Sequence, residues 1–252
     1  MADLDRHIHI NAGTAEHLWQ ASPELAALPP LELELLVPSH SRAVILAPHP
    51  DDEVLGCGGL IAQLRTLHRE VVLVAVTDGE KSHGPSSALA GALPHMRKME
   101  TEAALRCLSD TQIEVMRVGI PDGEVAGRQQ QLQSWLQKRL RLTDVVFASW
   151  RLDGHPDHEA VGRIGAALEA QLGCKLVEVP IWAWHWAQPA RGDLPWARAR
   201  RLNFDPATEA RKRAAIHCFH SQISADPSSG NEPVLPREVL EHFIRPYEVY
   251  FT

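Results

Sequence analysis

The chain has 252 residues, enough for one sizeable domain with a full core. Hydrophobic residues make up 44% and charged residues 23%, as in an ordinary folded domain. The net charge of −7 offers no basic excess for neutralising phosphates, which argues against a general nucleic-acid binder.

Residues 1–42 read as a helical extension followed by a lead-in punctuated by Pro29, Pro30 and Pro38. Met1 to Arg6 lack the basic start and apolar stretch of a signal peptide. Short apolar runs rich in β-branched residues predict strands over 43–47, 71–76, 114–118, 144–149 and 175–180. Helical patterns over 57–68, 95–108, 129–141 and 157–171 alternate with them, which predicts an α/β, Rossmann-like, mostly parallel sheet flanked by helices. Residues 181–200, rich in Trp, Pro and Arg, read as a long irregular segment. A helix near 206–217, a polar loop from Ser224 to Pro233, a short helix near 236–243 and a strand around 247–251 close the chain. The expected organisation is one domain: extension 1–42, Rossmann-like core 43–180, and a lid with closing elements over 181–252. No apolar run reaches the length of a membrane span, so no integral membrane segment is expected. Cys57, Cys107, Cys174 and Cys218 form no CxxC pair, which suits a reducing, cytoplasmic location.

Two polar clusters each follow a predicted strand: Pro48-His49-Pro50-Asp51-Asp52-Glu53, and Asp153-Gly154-His155-Pro156-Asp157-His158-Glu159. Ligands in such sheets bind beyond the carboxyl ends of the strands, so both clusters and Thr77-Asp78-Gly79-Glu80 converge on one edge. His49 and Asp52, three apart on a turn, can face one divalent ion, and a catalytic zinc site takes three protein ligands. Asp51, between them, is better placed to take a proton from a metal-activated water. Glu53 stands behind it. One of His155 and His158 completes the metal set and the other acts on the substrate; spacing does not say which. Asp157 can hold an imidazole in the required tautomer. Taken singly, the first cluster would read as an acidic helix N-terminus and the second as a structural turn; their pairing favours chemistry.

These turns resemble the LmbE/PIG-L-like family of metal-dependent N-deacetylases, whose hallmarks are a His-Pro-Asp-Asp-Glu turn and a later His-Pro-Asp-His turn. Arg97-Lys98-Met99-Glu100, Gly119-Ile120-Pro121-Asp122-Gly123 and the stretch from Lys212 to Gln222 are similar to other parts of the family. The resemblance implies a Rossmann-like fold, with zinc held by His49, Asp52 and His158; His/Asp ligands suit ferrous iron in the cell as well. The resemblance assigns the base role to Asp51 and transition-state stabilisation or leaving-group protonation to His155, which is expected here to act as an imidazolium. Family members cleave an acetamide from a sugar amine, which makes Glu80, Arg97 and Asp122 candidate substrate contacts. Carboxylates accept from sugar hydroxyls and Arg holds a phosphate or carboxylate. Trp182-Ala183-Trp184-His185-Trp186 is either a sugar-stacking wall or a lid packed on the core, with His185 not a ligand.

The expected activity is therefore metal-dependent hydrolysis of an N-acetyl or N-acyl group from an amino sugar or glycoconjugate. A metal-dependent phosphoesterase and a non-catalytic sugar-binding module are the alternatives. The expected partner is the small acylated substrate, with no nucleic acid and a homo-oligomer left open.

Overall fold

In the computed structural model, which describes Ile8 and residues 13–84, 87–226, 228 and 230–252, seven strands form one sheet. They are β1 (Arg42–Ala47), β2 (Glu70–Ala75), β3 (Glu114–Arg117), β4 (Val145–Ser149), β5 (Lys175–Val179), β6 (Ala199–Asn203) and β7 (Tyr247–Phe251). Their order is β3-β2-β1-β4-β5-β7-β6. The first five run parallel, and β7 and β6 extend the sheet with antiparallel pairings. After β3 the chain crosses to the other side of β1, so the winding reverses between β1 and β4. That is where ligand crevices form in sheets of this kind.

The helices are α1 (Glu16–Gln20), α2 (Pro23–Ala26), α3 (Leu33–Leu36), α4 (Asp52–Thr66), α5 (Leu93–Leu108), α6 (Gln129–Gln137), α7 (Pro156–Leu172), α8 (Ala183–Trp186), α9 (Pro206–Ile216), α10 (His220–Ile223) and α11 (Arg237–Leu240). Every residue of β1 is buried because both sheet faces are covered. Ala43, Ile45 and Ala47 join the core under α4, α5 and α9, whereas Val44 and Leu46 join that under α6 and α7. Among the described residues, no helix is long and apolar enough to cross a membrane.

The five parallel strands lie within two residues of the sequence expectation, but the expected helix over 57–68 begins five residues earlier, at Asp52. Gly56, Gly58 and Gly59 disfavour a helix by about 1 kcal/mol each, which hides its first turns from a propensity argument. Tertiary contacts override them. A Cβ at Gly59 would strike the Phe204 ring. The backbone there is also held by side chains: Gly59 and Leu60 N–H donate to Glu248 at 2.8 and 2.9 Å, while Leu55 C=O accepts from Lys212 Nζ at 2.8 Å and Gly56 C=O from the Tyr250 hydroxyl at 3.1 Å.

Three further expectations need correction. The helix expected over 129–141 stops at Gln137. The segment 181–200, expected to be irregular, contains α8 and the start of β6, which completes the antiparallel edge with β7. From Gly13 onward the N-terminal extension is three short helices; apart from Ile8, residues 1–12 lie outside the described residues, as do Pro227 and Ser229 of the expected polar loop. That extension is strapped to α8. Thr14 N–H donates to His185 C=O at 2.8 Å, and Trp19 Nε1 donates to Trp184 C=O at 2.8 Å.

Helix α7 lies close against the end of β4 at Gly162, where an added Cβ would collide with the Ser149 carbonyl and stand 2.6 Å from Arg151 N. Both obstacles are backbone and cannot rotate away. Gly162→Ala is therefore expected to destabilise the protein by about 1–3 kcal/mol through overpacking, despite the better helix propensity of Ala. A urea titration showing equal or higher stability would contradict this contact.

Candidate active site

The first cluster turns from β1 directly into the first turn of α4. Asp51, at φ 112°, occupies a region that non-glycine residues rarely enter. The surroundings hold it there. Asp51 N–H donates to Glu53 Oε2 at 2.9 Å, and Asp51 C=O accepts from Val54 and Leu55 N–H at 2.8 Å each. Helix α4 then projects Asp52 back over β1, where its Oδ2 accepts His49 N–H at 2.9 Å.

The second cluster opens α7 across the crevice. His155 caps the helix, its Nδ1 accepting Asp157 N–H at 3.2 Å. His158, fully buried in the first turn, has its C=O fixed by Ser149 Oγ at 2.8 Å. Three donor atoms meet here: His49 Nδ1 lies 3.2 Å from His158 Nε2 and 3.3 Å from Asp52 Oδ2, and His158 Nε2 lies 3.2 Å from Asp52 Oδ2. Tetrahedral bonds of 2.0–2.1 Å place ligand atoms roughly 3.3 Å apart, so this triangle fits a divalent ion. The His/Asp character suits zinc or ferrous iron. Two looser groups, His49 with His155 and His158 and His49 with Asp122 and Asp157, also bring ligand atoms within 4.8 Å. The first triangle is the tighter set. In the second loose group, Asp122 and Asp157 approach the other nitrogen of His49, at 3.2 and 3.4 Å from Nε2, where they can orient the ring.

The electrostatics fit a site short of positive charge. Burial pushes Asp51 up to about 8; Arg97 pulls it down, and Asp52 and Glu53 add to the rise. Burial likewise lifts Glu53 to about 7. Asp52 runs the other way: His158 and His49 outweigh its burial and hold it well below the usual carboxylate range. His158 is driven up to about 9 because Asp52 and Asp153 outweigh its burial. Burial, with His158 and His49 close by, lowers His155 to about 3. These neighbours favour a neutral His155 ring, with Nδ1 accepting Asp157 N–H and Nε2 left to carry the proton.

The structure brings His49, Asp51, Asp52, His155 and His158 together with Arg97 and Asp122. Arg97, buried, bonds Asp51 Oδ2 at 2.9 Å, Gly79 C=O at 3.1 Å and Pro50 C=O. Asp122 accepts Lys81 N–H at 3.0 Å, and His49 holds it down to about 2 against its burial. Glu80 stands behind the cleft and fixes the Asp122 turn, its Oε1 accepting Asp122 N–H at 2.8 Å. Asp157 faces His49, and its carboxylate also accepts Gly123 and Val125 N–H at 2.8 and 3.1 Å.

Sequence reasoning gave Asp153 no role of its own. Its Oδ2 lies 2.8 Å from His158 Nδ1 and 3.0 Å from Trp182 N, and its Oδ1 accepts Ile181 and Ala183 N–H at 2.9 and 3.1 Å. A carboxylate five residues ahead of His158 was the available signal. The Trp-rich segment divides: Trp184 packs edge-on to Trp19 and Trp186 stacks on Trp150 in the core, while Trp182 lines the cleft. The cleft, ≈ 200 Å³, has His49, Asp51, Asp52, Asp122 and His155 among its polar residues.

A family model described as PIG-L: GlcNAc-PI de-N-acetylase matches residues 44–169, which span both clusters. Among solved structures, the conserved protein TT1542 from Thermus thermophilus is 27% identical, with a TM-score of 0.53 over 73% of this chain and 81% of that one. N,N'-diacetylchitobiose deacetylase from Pyrococcus horikoshii, solved with an inhibitor, is 21% identical, with a TM-score of 0.51 over 70% of this chain and 69% of its own. The A40926 pseudoaglycone deacetylase is 21% identical, with a TM-score of 0.57 over 83% of this chain and 96% of its own. No curated protein matches the chain. The family model covers half of the sequence and includes both site-forming turns, and the chain therefore belongs to the PIG-L (LmbE-like) family.

Proposed function

We propose that the protein is a metal-dependent N-deacetylase that removes an N-acetyl group from an amino sugar or glycoconjugate. The observation that carries this reading is the triangle of His49 Nδ1, Asp52 Oδ2 and His158 Nε2 beside the strained, buried Asp51. Family membership and the deacetylase activity named for two of the structural neighbours support it. His49, Asp52 and His158 would hold the ion, which supplies Lewis-acid polarisation of the amide carbonyl and lowers the pKa of a water molecule. Asp51 takes the proton of the attacking water, Arg97 fixing the carboxylate that receives it. Neutral His155 donates through Nε2–H to the oxygen that gains charge, as an oxyanion-hole donor does. Asp51 then returns its proton to the departing nitrogen, because neutral His155 is a poor acid.

The direct test is amine release from a panel of N-acetylated sugars and conjugates, with metal-depleted and reconstituted protein. Turnover that vanishes on depletion and returns with zinc or ferrous iron is expected. No amine from any member, with metal bound, would sink the reading. A second expectation concerns Asp153: Asp153→Asn should weaken metal affinity by about 10–100-fold, because His158 loses the carboxylate that fixes its tautomer. Chelator competition measures it directly, and unchanged affinity would remove Asp153 from the site.

A further inference from the structure

Beside its polar residues, Lys81, Ser82 and Gln222 among them, the cleft is lined by an apolar set. Ile181 and Trp182 supply one part and Val234, Leu235, Val239 and Phe243 the other. The last four come from a segment beyond the family-model match, tied to the site where Leu235 N–H donates to Gln222 C=O at 2.9 Å. Each cleft-lining side chain that this segment contributes is a hydrocarbon or an aromatic ring. A polyhydroxylated ring filling this cleft would press hydroxyls against groups that cannot hydrogen-bond, a costly burial. An apolar substituent there would instead be removed from water.

Resting on the deacetylase reading, we propose that the substrate is amphiphilic: an N-acylated amine with a hydrocarbon or aromatic group next to the amide, seated against Trp182 and the 234–243 segment. The apolar group belongs either to the acyl side or to the amine side of the scissile bond. The chemistry of the wall is the same for both.

Two substrate series tell them apart on metal-loaded protein. One carries N-acetylglucosamine as its free sugar and its methyl, butyl and hexyl β-glycosides; the other carries glucosamine N-acylated with acetyl, butanoyl and hexanoyl groups. In one of the series kcat/KM should rise about threefold to fourfold per added methylene, and that series identifies the side. Trp182→Ser and Val234→Asp, both at partly exposed positions, should flatten the gradient, with thermal melts confirming the fold. Two flat series with free N-acetylglucosamine turned over would overturn the amphiphilic substrate and leave the deacetylase standing. No amine from any member would overturn the deacetylase. Tryptophan-fluorescence titration with both series then decides the wall on its own: binding that tightens with chain length in one series in the wild type, but not in Val234→Asp, upholds it, and binding independent of length in both series overturns it.

Discussion

Asp51→Asn is expected to lower kcat by about 10²–10⁴-fold while leaving the metal content per chain unchanged. The asparagine keeps the shape and can still accept from Arg97 Nη2, but it cannot take a proton from water. It also stays out of the ligand triangle, which Asp52 completes from the next position. The local change in charge acts in two directions. Removing the Asp51 charge relieves Asp52 and Glu53 but leaves the buried Arg97 guanidinium without its carboxylate. Stability should therefore be read beside activity. Amine-release kinetics and metal analysis on one preparation make the test, and near-wild-type kcat with metal bound would remove Asp51 from the base role. Lost activity together with lost metal would mean that Asp51 ligates, against the geometry described above.

The edge that carries the candidate site was legible in the sequence because its signals are local. Each polar turn directly follows a continuous apolar run, and a parallel sheet brings such turns to one side. Spacing within the first turn separates His49 and Asp52, which meet, from Asp51 between them, whereas the choice of His158 over His155 came only from the family resemblance. The positioning contacts were not legible, because they join distant segments. Arg97 reaches Asp51 from α5, and Asp153 spans from β4 to the backbone after β5. Asp122, read as a substrate contact, also lies beside His49 because β3 ends level with β1, which only the sheet order reveals. The start of α4 was misread for a related reason. Its glycines argue against a helix locally, and the groups that compensate them lie in α9 and β7. The apolar wall came from a segment whose short helix near 236–243 was legible, but whose place against the cleft was not.

Lys212→Met is expected to cost about 3–5 kcal/mol of stability. The lysine is 3% exposed and its ammonium lies 2.7 Å from Glu248 Oε1 and 2.8 Å from Leu55 C=O. Methionine fills similar volume, so lost packing is a minor part of the effect. The main cost is a carboxylate left buried without its counter-charge. The carboxylate is also fixed in place, its oxygens accepting Gly59 N–H, Leu60 N–H and the Tyr250 hydroxyl. Arg213 and Glu209 form the surface comparison, an exposed i,i+4 pair on the same helix at 3.0 Å. Arg213→Met should cost less than about 0.5 kcal/mol. Adding Glu248→Gln to Lys212→Met should recover part of the loss, since glutamine is neutral and still offers one acceptor to the α4 backbone. Urea unfolding of the four proteins measures each step. A Lys212→Met cost below about 1 kcal/mol would mean that α4 keeps its shape without the buried pair. A cost in the expected range ties the helix that presents Asp52 to a network in the opposite half of the sequence.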